Sequence, residues 1–230
     1  MAISRRTLLG VGAGVAVAAG AGGVWYATRP AQTVAAPPPG GAAPAPAPTA
    51  EGIMGERAIG RADAPVVVRE FFSLTCSHCA TFHRDTMPQV KKELVETGRV
   101  RVIFHDFPLD QISLTAHVVA RHLPPASYEP FVAALLASQD RWAFARGVNT
   151  TEELAKMAAL AGLSRARFDA AVADETTRAA ILKARDDSAR TFGIDATPSF
   201  VFSGPALKNQ KASGARPYSD FVRLVQQASG

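Results

Sequence analysis

Cysteine is scarce in this sequence: the 230 residues include two, Cys76 and Cys79, with only Ser77 and His78 between them. No second C-x-x-C pair accompanies them, whereas structural zinc sites usually draw paired ligands from two such segments. Zinc held by this pair and histidines is therefore a minor alternative. A purely structural disulfide is also disfavoured, because closing so short a loop removes little entropy from the unfolded chain.

Acidic residues are missing from the first 50 positions. Three of the 25 basic residues and none of the 20 acidic ones precede Glu51, so the rest of the chain has a formal charge of +2, against +5 for the whole. A nucleic-acid-binding protein would be expected to carry a clustered basic face. The high pI therefore owes much to the leader, and we expect no nucleic-acid partner.

The leader has the organisation of an export signal. Arg5 and Arg6 precede an uncharged, weakly hydrophobic run from Leu8 to Ala27, which resembles twin-arginine signals and predicts a periplasmic destination for the protein. Residues 1–28 are thus a predicted signal peptide. A permanent inner-membrane anchor is the alternative, because about 20 apolar residues can span the membrane. The Pro/Ala/Gly-rich residues 29–50 are predicted to be a linker.

The two cysteines follow an apolar stretch, Ala64–Phe72, whose β-branched and aromatic residues predict a central strand covered on both faces. If a helix begins there, both sulfurs lie on one side of its first turn, close enough to bond. The unpaired N–H groups of a helix N-terminus favour a thiolate. Cys76 is the predicted nucleophile, and Cys79 is its partner in a redox-active disulfide.

Two further residues are candidates for the site. His78, between the sulfurs, is either simply solvated or a further stabiliser of the Cys76 thiolate. Glu70 is the only acid in the apolar strand. It either pairs with Arg69 or a lysine near a strand end, or lies beneath the cysteine loop, where it could accept or relay the proton of Cys79.

Apolar spacing predicts the elements around this loop. A helix from Cys79 to about Thr97, kinked at Pro88, should be followed by an alternating strand at Val100–Phe107. A strand–helix–strand unit of this length implies a right-handed parallel pairing. Two strands and a final helix are predicted near the end of the chain, at Ser199–Phe202, Gln210–Ser213 and Pro217–Gln227.

Convincing strands are lacking between Asp110 and Arg190, where a capping box at Thr150 and Glu153 is predicted to begin one of several helices. The five predicted helices are Ile112–His122, Tyr128–Ala137, Thr151–Ala161, Ser164–Val172 and Glu175–Thr191.

Three stretches together resemble DsbA-like thiol:disulfide oxidoreductases of the thioredoxin superfamily. They are Glu-Phe-Phe-Ser from Glu70 followed by the cysteine pair, Phe-His-Asp-Phe-Pro-Leu from Phe104, and Ala-Thr-Pro-Ser-Phe from Ala196. The resemblance covers about residues 55–228. It implies an α/β, thioredoxin-like fold over residues 51–230 with an inserted all-helical domain at about 110–190.

The same resemblance implies roles for individual residues. Pro198 is expected to follow a cis bond and to face the cysteine pair, leaving the backbone of Thr197 to pair with an extended substrate. His78 is expected to stabilise the Cys76 thiolate. Ser77 stands where the best-known members have proline, so their redox potential does not carry over.

The expected function is that of an exported protein disulfide oxidase. It would donate its Cys76–Cys79 disulfide to reduced exported proteins, need no other cofactor and no metal, and be reoxidised by a membrane partner. An oxidising periplasm favours this direction of exchange, and we expect a monomer. The alternatives are an isomerase or reductase on the same fold and, less favoured, a redox-inactive or zinc-binding module.

Overall fold

The computed structural model describes residues 50–230, which begin with a short helix, α1 (Ala50–Met54). The predicted signal or anchor over residues 1–28 and the predicted linker, apart from its last residue, lie outside the described part. Within that part, no helix is long and apolar enough to cross a membrane.

The described residues form a five-stranded mixed sheet in the order β1-β3-β2-β4-β5. Its strands are β1 (Arg57–Ile59), β2 (Val66–Phe72), β3 (Val100–Asp106), β4 (Ser199–Ser203) and β5 (Gln210–Ser213). The predicted parallel pairing of β2 with β3 is confirmed, and the other neighbours are antiparallel. Strand β1, which was not predicted, adds an edge beside β3. Strand β2 therefore lies at the centre of the sheet.

The crossover from β2 to β3 is helical but interrupted. It consists of α2 (Ser77–Asp85), α3 (Met87–Val90) and a π-helical turn (Lys91–Val95). The break between α2 and α3 falls at Thr86, close to the predicted kink. Pro88 lies in the first turn of α3, where its missing N–H leaves no intrahelical hydrogen bond unmade.

Six helices of the described chain lie between β3 and β4. They are α4 (Gln111–Arg121), α5 (Pro125–Ala137), α6 (Gln139–Trp142), α7 (Thr150–Leu160), α8 (Arg165–Val172) and α9 (Glu175–Phe192). Five match the predicted helices to within a few residues, whereas the single turn α6 was not predicted. The predicted capping box of α7 is wrong, because Asn149 is the N-cap and accepts from the N–H groups of Thr151 and Glu152.

Both faces of the sheet are covered, as predicted for β2. On one face, aromatic side chains of the sheet pack against Phe82 of α2 and against Phe221 of α10 (Tyr218–Ser229). On the other, Phe71 lies in a smaller apolar cluster that includes Phe192 of α9. Two helical layers thus enclose β2, and the cysteine loop follows its C-terminal end.

Candidate active site

The turn between β2 and α2 positions the two cysteines differently. Cys76 is the N-cap of α2 and 9% exposed, whereas Cys79 lies within the first turn and is 0% exposed. Both are free thiols, so the structure describes the reduced form. Solvent therefore reaches Cys76 and not Cys79.

The two thiols differ as strongly in acidity. A hydrogen bond from the Cys79 side chain is the largest influence on Cys76 and, together with the backbone N–H groups at the start of α2, lowers the pKa of Cys76 to about 5 despite partial burial. Burial raises the pKa of Cys79 well above its ordinary value, and the nearby Cys76 raises it further. At neutral pH the reduced site therefore holds one thiolate and one thiol.

The loop before β4 faces this pair from the other side. The Thr197–Pro198 peptide bond is cis, as the family resemblance implied. The Cys76 thiol, when protonated, donates to the Thr197 carbonyl oxygen at 3.3 Å. A hydrogen bond from the Thr197 side chain also lowers the pKa of Cys76. A segment 121 residues from Cys76 in sequence thus contributes directly to its surroundings.

His78 lies exposed on the first turn of α2. Its backbone N–H helps to lower the pKa of Cys76. The described part of the chain gives its imidazole no hydrogen-bond partner, so the predicted electrostatic role of that ring stays a prediction.

Glu70 is fully buried on the central strand, and its Oε1 lies 2.8 Å from Nε2 of His83. The alternative, in which Glu70 pairs with Arg69 or a lysine at a strand end, is therefore wrong. Strand β2 has neighbouring strands on both sides, and the Glu70 carboxylate points towards His83 of α2. The negative charge of Glu70 contributes to the raised pKa of Cys79. In the sequence His83 was considered only as a possible zinc ligand and not as a partner of Glu70, although it follows Cys79 by four residues and so shares its helix face.

The fold and this geometry can now be compared with known proteins. A family model described as thioredoxin matches residues 53–226. The chain belongs to this thioredoxin family. Its structure is similar to the crystal structure of Wolbachia pipientis alpha-DsbA1, with a TM-score of 0.70 and 27% sequence identity over 76% of this chain and 91% of that one. It also resembles oxidised BdbD from Bacillus subtilis, with a TM-score of 0.63 and 20% identity over 79% and 95% of the two chains.

Curated relatives agree with this DsbA-like membership. A Rickettsia prowazekii protein, provisionally named a protein-disulfide oxidoreductase, is 26% identical over 152 residues, which are 66% of this chain and 55% of the relative. Disulfide bond formation protein D of Bacillus subtilis is 36% identical over 52 residues, or 23% of each chain. The chain spans about half the length of the Rickettsia relatives that it matches.

In this DsbA-like chain, the helices inserted between β3 and β4 hold the cysteine loop. The Ser113 hydroxyl accepts from the Leu74 N–H at 3.0 Å and lies 2.8 Å from the Ser73 hydroxyl. The Thr75 hydroxyl donates to Asp110, the N-cap of α4, at 2.5 Å. None of these contacts was predicted, because each joins residues at least 35 positions apart.

A further contact reaches the loop from α6. The Nε2 group of Gln139 donates to the carbonyl oxygens of Leu74, at 2.8 Å, and Cys76, at 3.0 Å. Four residues of helix carry too little apolar periodicity to reveal themselves, so the sequence offered no signal for Gln139.

Three of the histidines considered as zinc ligands have other contacts. His117 pairs with Asp106, His122 pairs with Asp174, and His105 stacks on Phe71. Over residues 50–230, no three His, Cys, Asp or Glu side chains gather where they could hold a metal ion.

Proposed function

We propose that this protein is an exported thiol:disulfide oxidoreductase that introduces disulfides into reduced periplasmic proteins. The observation that carries the proposal is the difference in acidity between the two thiols. The pKa of Cys76 is lowered to about 5, whereas that of Cys79 is raised well above its ordinary value. The DsbA-like family membership and the names of the Rickettsia and Bacillus relatives support the same chemistry.

The direction of exchange follows from the stability of the thiolate. With a pKa of about 5, roughly 99 in 100 molecules of reduced protein carry Cys76 as a thiolate at pH 7. A group that stabilises the reduced form makes the corresponding disulfide a stronger oxidant. Such a disulfide readily oxidises substrate thiols and is itself reduced to the dithiol.

The oxidation proceeds in two exchanges. A substrate thiolate attacks the Cys76 sulfur, the Cys76–Cys79 bond breaks, and Cys79 leaves and takes up a proton. A second substrate thiolate then attacks the substrate sulfur that is bound to Cys76. The bond between the two breaks, and Cys76 leaves as a stable thiolate. Two electrons have passed from the substrate to the enzyme, and the substrate has gained one disulfide. A membrane partner would remove the two electrons and restore the disulfide between the cysteines.

The residues facing Cys76 have supporting roles in this scheme. The backbone beside the cis bond at Pro198 would align an extended substrate segment, with Thr197 next to the reacting sulfur. The exposed imidazole of His78 would favour the thiolate further. These positions leave Cys76 between the start of α2 and the Thr197 loop, where an incoming substrate thiolate would meet it.

Glu70 would exchange a proton with Cys79. Its carboxylate interacts electrostatically with Cys79, and its Oε2 is a buried acceptor that makes no hydrogen bond within the described residues. A carboxylate in that position can take the Cys79 proton when the disulfide forms and return it when the disulfide is reduced.

Export rests on the leader. The arginine pair and the uncharged run from Leu8 to Ala27 support delivery to the periplasm by a twin-arginine-type route, with the leader either removed or kept as an inner-membrane anchor. In that compartment disulfides persist.

The equilibrium between the Cys76–Cys79 couple and glutathione tests the proposal. We expect a potential less negative than about −180 mV, together with rapid oxidation of a reduced, unfolded secreted protein. The Cys76→Ser variant is the control and should oxidise nothing. A potential near the roughly −270 mV of thioredoxin would overturn the oxidase proposal in favour of a reductase or isomerase.

A further inference from the structure

The inserted helices touch the cysteine loop at its backbone as well as at its side chains. Gln139 is 8% exposed, and its Nε2 group has two N–H bonds, which are directed to the carbonyl oxygens of Leu74 and Cys76. One amide group thereby links the residue two positions before Cys76 to Cys76 itself. A side chain that only filled space would not need both donors.

The helix that carries Gln139 is itself firmly held. Trp142 of α6 is 1% exposed, and its indole N–H donates to the Leu135 carbonyl of α5 at 2.8 Å. The Gln139 carbonyl accepts from the N–H groups of Ala143 and Phe144. The amide therefore reaches the loop from a rigid base, which is what a group that positions another must have.

We propose that Gln139 is a positioning residue, which fixes the backbone of residues 74–76 from the inserted helices and so holds Cys76 in the geometry that favours its thiolate. The inference rests on the nucleophilic role given to Cys76 in the proposed function. It assigns the inserted helices a part in tuning the cysteine pair.

The effect on Cys76 has a geometric and an electrostatic source. The Cys76 carbonyl also accepts from the Ala80 N–H at 3.1 Å, so Gln139 helps to fix the residue from which α2 begins. The N–H groups of His78 and Cys79 reach the thiolate only while that helix start keeps its shape. The Gln139 donors also offset the partial negative charge of two carbonyl oxygens in the loop that carries the thiolate.

The Gln139→Met variant tests this role, because methionine keeps an unbranched side chain of similar length and has no N–H donor. The readouts are the pH titration of Cys76 by thiolate absorbance and the glutathione equilibrium of the reduced and oxidised protein, with folding checked by circular dichroism. We expect the equilibrium to move about tenfold towards the disulfide, which is about 30 mV less oxidising, and the Cys76 titration to move to higher pH. Gln227→Met, on the exposed side of α10, is the matched control and should change neither value more than twofold.

If Gln139→Met does not fold, the same two measurements on Gln139→Glu test the positioning role of Gln139. An ionised glutamate retains the shape but has no donor, and it should shift both values in the same direction. A folded variant whose titration and equilibrium both stay within twofold of the parent would show that Gln139 only packs. A parent potential in the reducing range would overturn the oxidase proposal and leave this one standing, because the comparison of parent with variant is independent of the direction of exchange.

Discussion

Two carboxylates lie buried in the described part of the chain, Glu70 on β2 and Asp106 at the end of the neighbouring β3, and their surroundings differ. Asp106 is fully partnered: His117 and the Tyr128 hydroxyl each lie 2.8 Å from Oδ1, and Arg121 donates to Oδ2 at 2.5 Å. Glu70 has one hydrogen-bonded neighbour, His83, and its second oxygen has none among the described residues.

The network around Asp106 connects several elements. Arg121 of α4 also donates to the Gly55 carbonyl, and its own carbonyl accepts from Arg57 of β1. Tyr128 contributes a contact from α5. A carboxylate whose two oxygens are both hydrogen-bonded to residues of α4 and α5 is suited to holding the inserted helices on the sheet.

The difference shows how one fold uses buried charge in two ways. A saturated carboxylate has no position left for an exchanging proton. Glu70, whose charge acts on the Cys79 thiol, has one oxygen without a hydrogen bond among the described residues, and the cost of leaving that oxygen unpaired is consistent with a chemical role. The comparison therefore predicts that Asp106 governs stability and that Glu70 governs reactivity.

Asp106→Asn should have the largest effect. It leaves the Arg121 guanidinium buried without a counter-charge, and removing one partner of such a pair typically costs about 3–5 kcal/mol. We expect a loss of about 3 kcal/mol in the free energy of unfolding, measured in urea, with the glutathione equilibrium of the folded protein unchanged within twofold. Asp169→Asn is the matched control, since its pairing with Arg165 is exposed and should contribute less than about 1 kcal/mol. Equal losses in the two variants would remove the distinction.

The same contrast predicts a dependence on pH. Burial alone would raise the pKa of Asp106, but Arg121 and His117 outweigh it and hold the pKa below its ordinary value of 3.8. Because the folded pKa is lower than the unfolded one, this contribution to stability is complete above about pH 4 and is lost as the pH falls further. The stability difference between the parent and Asp106→Asn should therefore shrink in acid, and a constant difference from pH 7 to pH 3 would contradict the assignment.

The next effect concerns the cysteine pair. The Cys79 hydrogen bond is the largest influence that lowers the pKa of Cys76 to about 5. Cys79→Ala removes the donor, and we expect the Cys76 pKa to rise towards its ordinary value. Cys79→Ser retains a hydroxyl donor, so the Cys76 pKa should rise less in that variant. Thiolate absorbance against pH measures both. Identical titrations would show that the start of α2, and not Cys79, sets the acidity of Cys76.

The sequence predicted the parts of this molecule that depend on local pattern. The apolar run of β2, the helical spacing of α4 and the alternation in β3 identified these elements, and the C-x-x-C spacing identified the sulfurs. Asn149 shows the limit of such reasoning even locally, because the neighbouring Thr150, with Glu153 three residues later, also matches a capping signal.

Contacts between distant segments could not be read in the same way. Glu70 was recognised as an unusual acid in an apolar strand. Its pairing with His83 can be recognised only when β2 and α2 are seen packed together. Gln139 lies 63 residues from Cys76 on a helix with one turn, and nothing in its own neighbourhood marks it. The residues that hold the site were therefore harder to predict than those that react.

Glu70→Gln should have the smallest effect and would sharpen the comparison most. Glutamine keeps the shape of the side chain and a hydrogen bond with His83, but it cannot take up a proton. When the reduced protein reacts with oxidised glutathione, the first exchange, at Cys76, should keep its rate within twofold. The second, in which Cys79 must lose its proton to close the disulfide, should slow by roughly tenfold, less than the 100-fold or more often seen when a general base is lost, because solvent can slowly substitute.

Stopped-flow fluorescence or rapid acid quenching separates the two exchanges, and Glu175→Gln, at an exposed side chain, is the matched control. Unchanged rates in both steps would make Glu70 a structural residue like Asp106. Equal slowing of both steps would instead mean that the charge of Glu70 acts on Cys76 as well. Only selective slowing of the second step fits a carboxylate that serves the buried thiol.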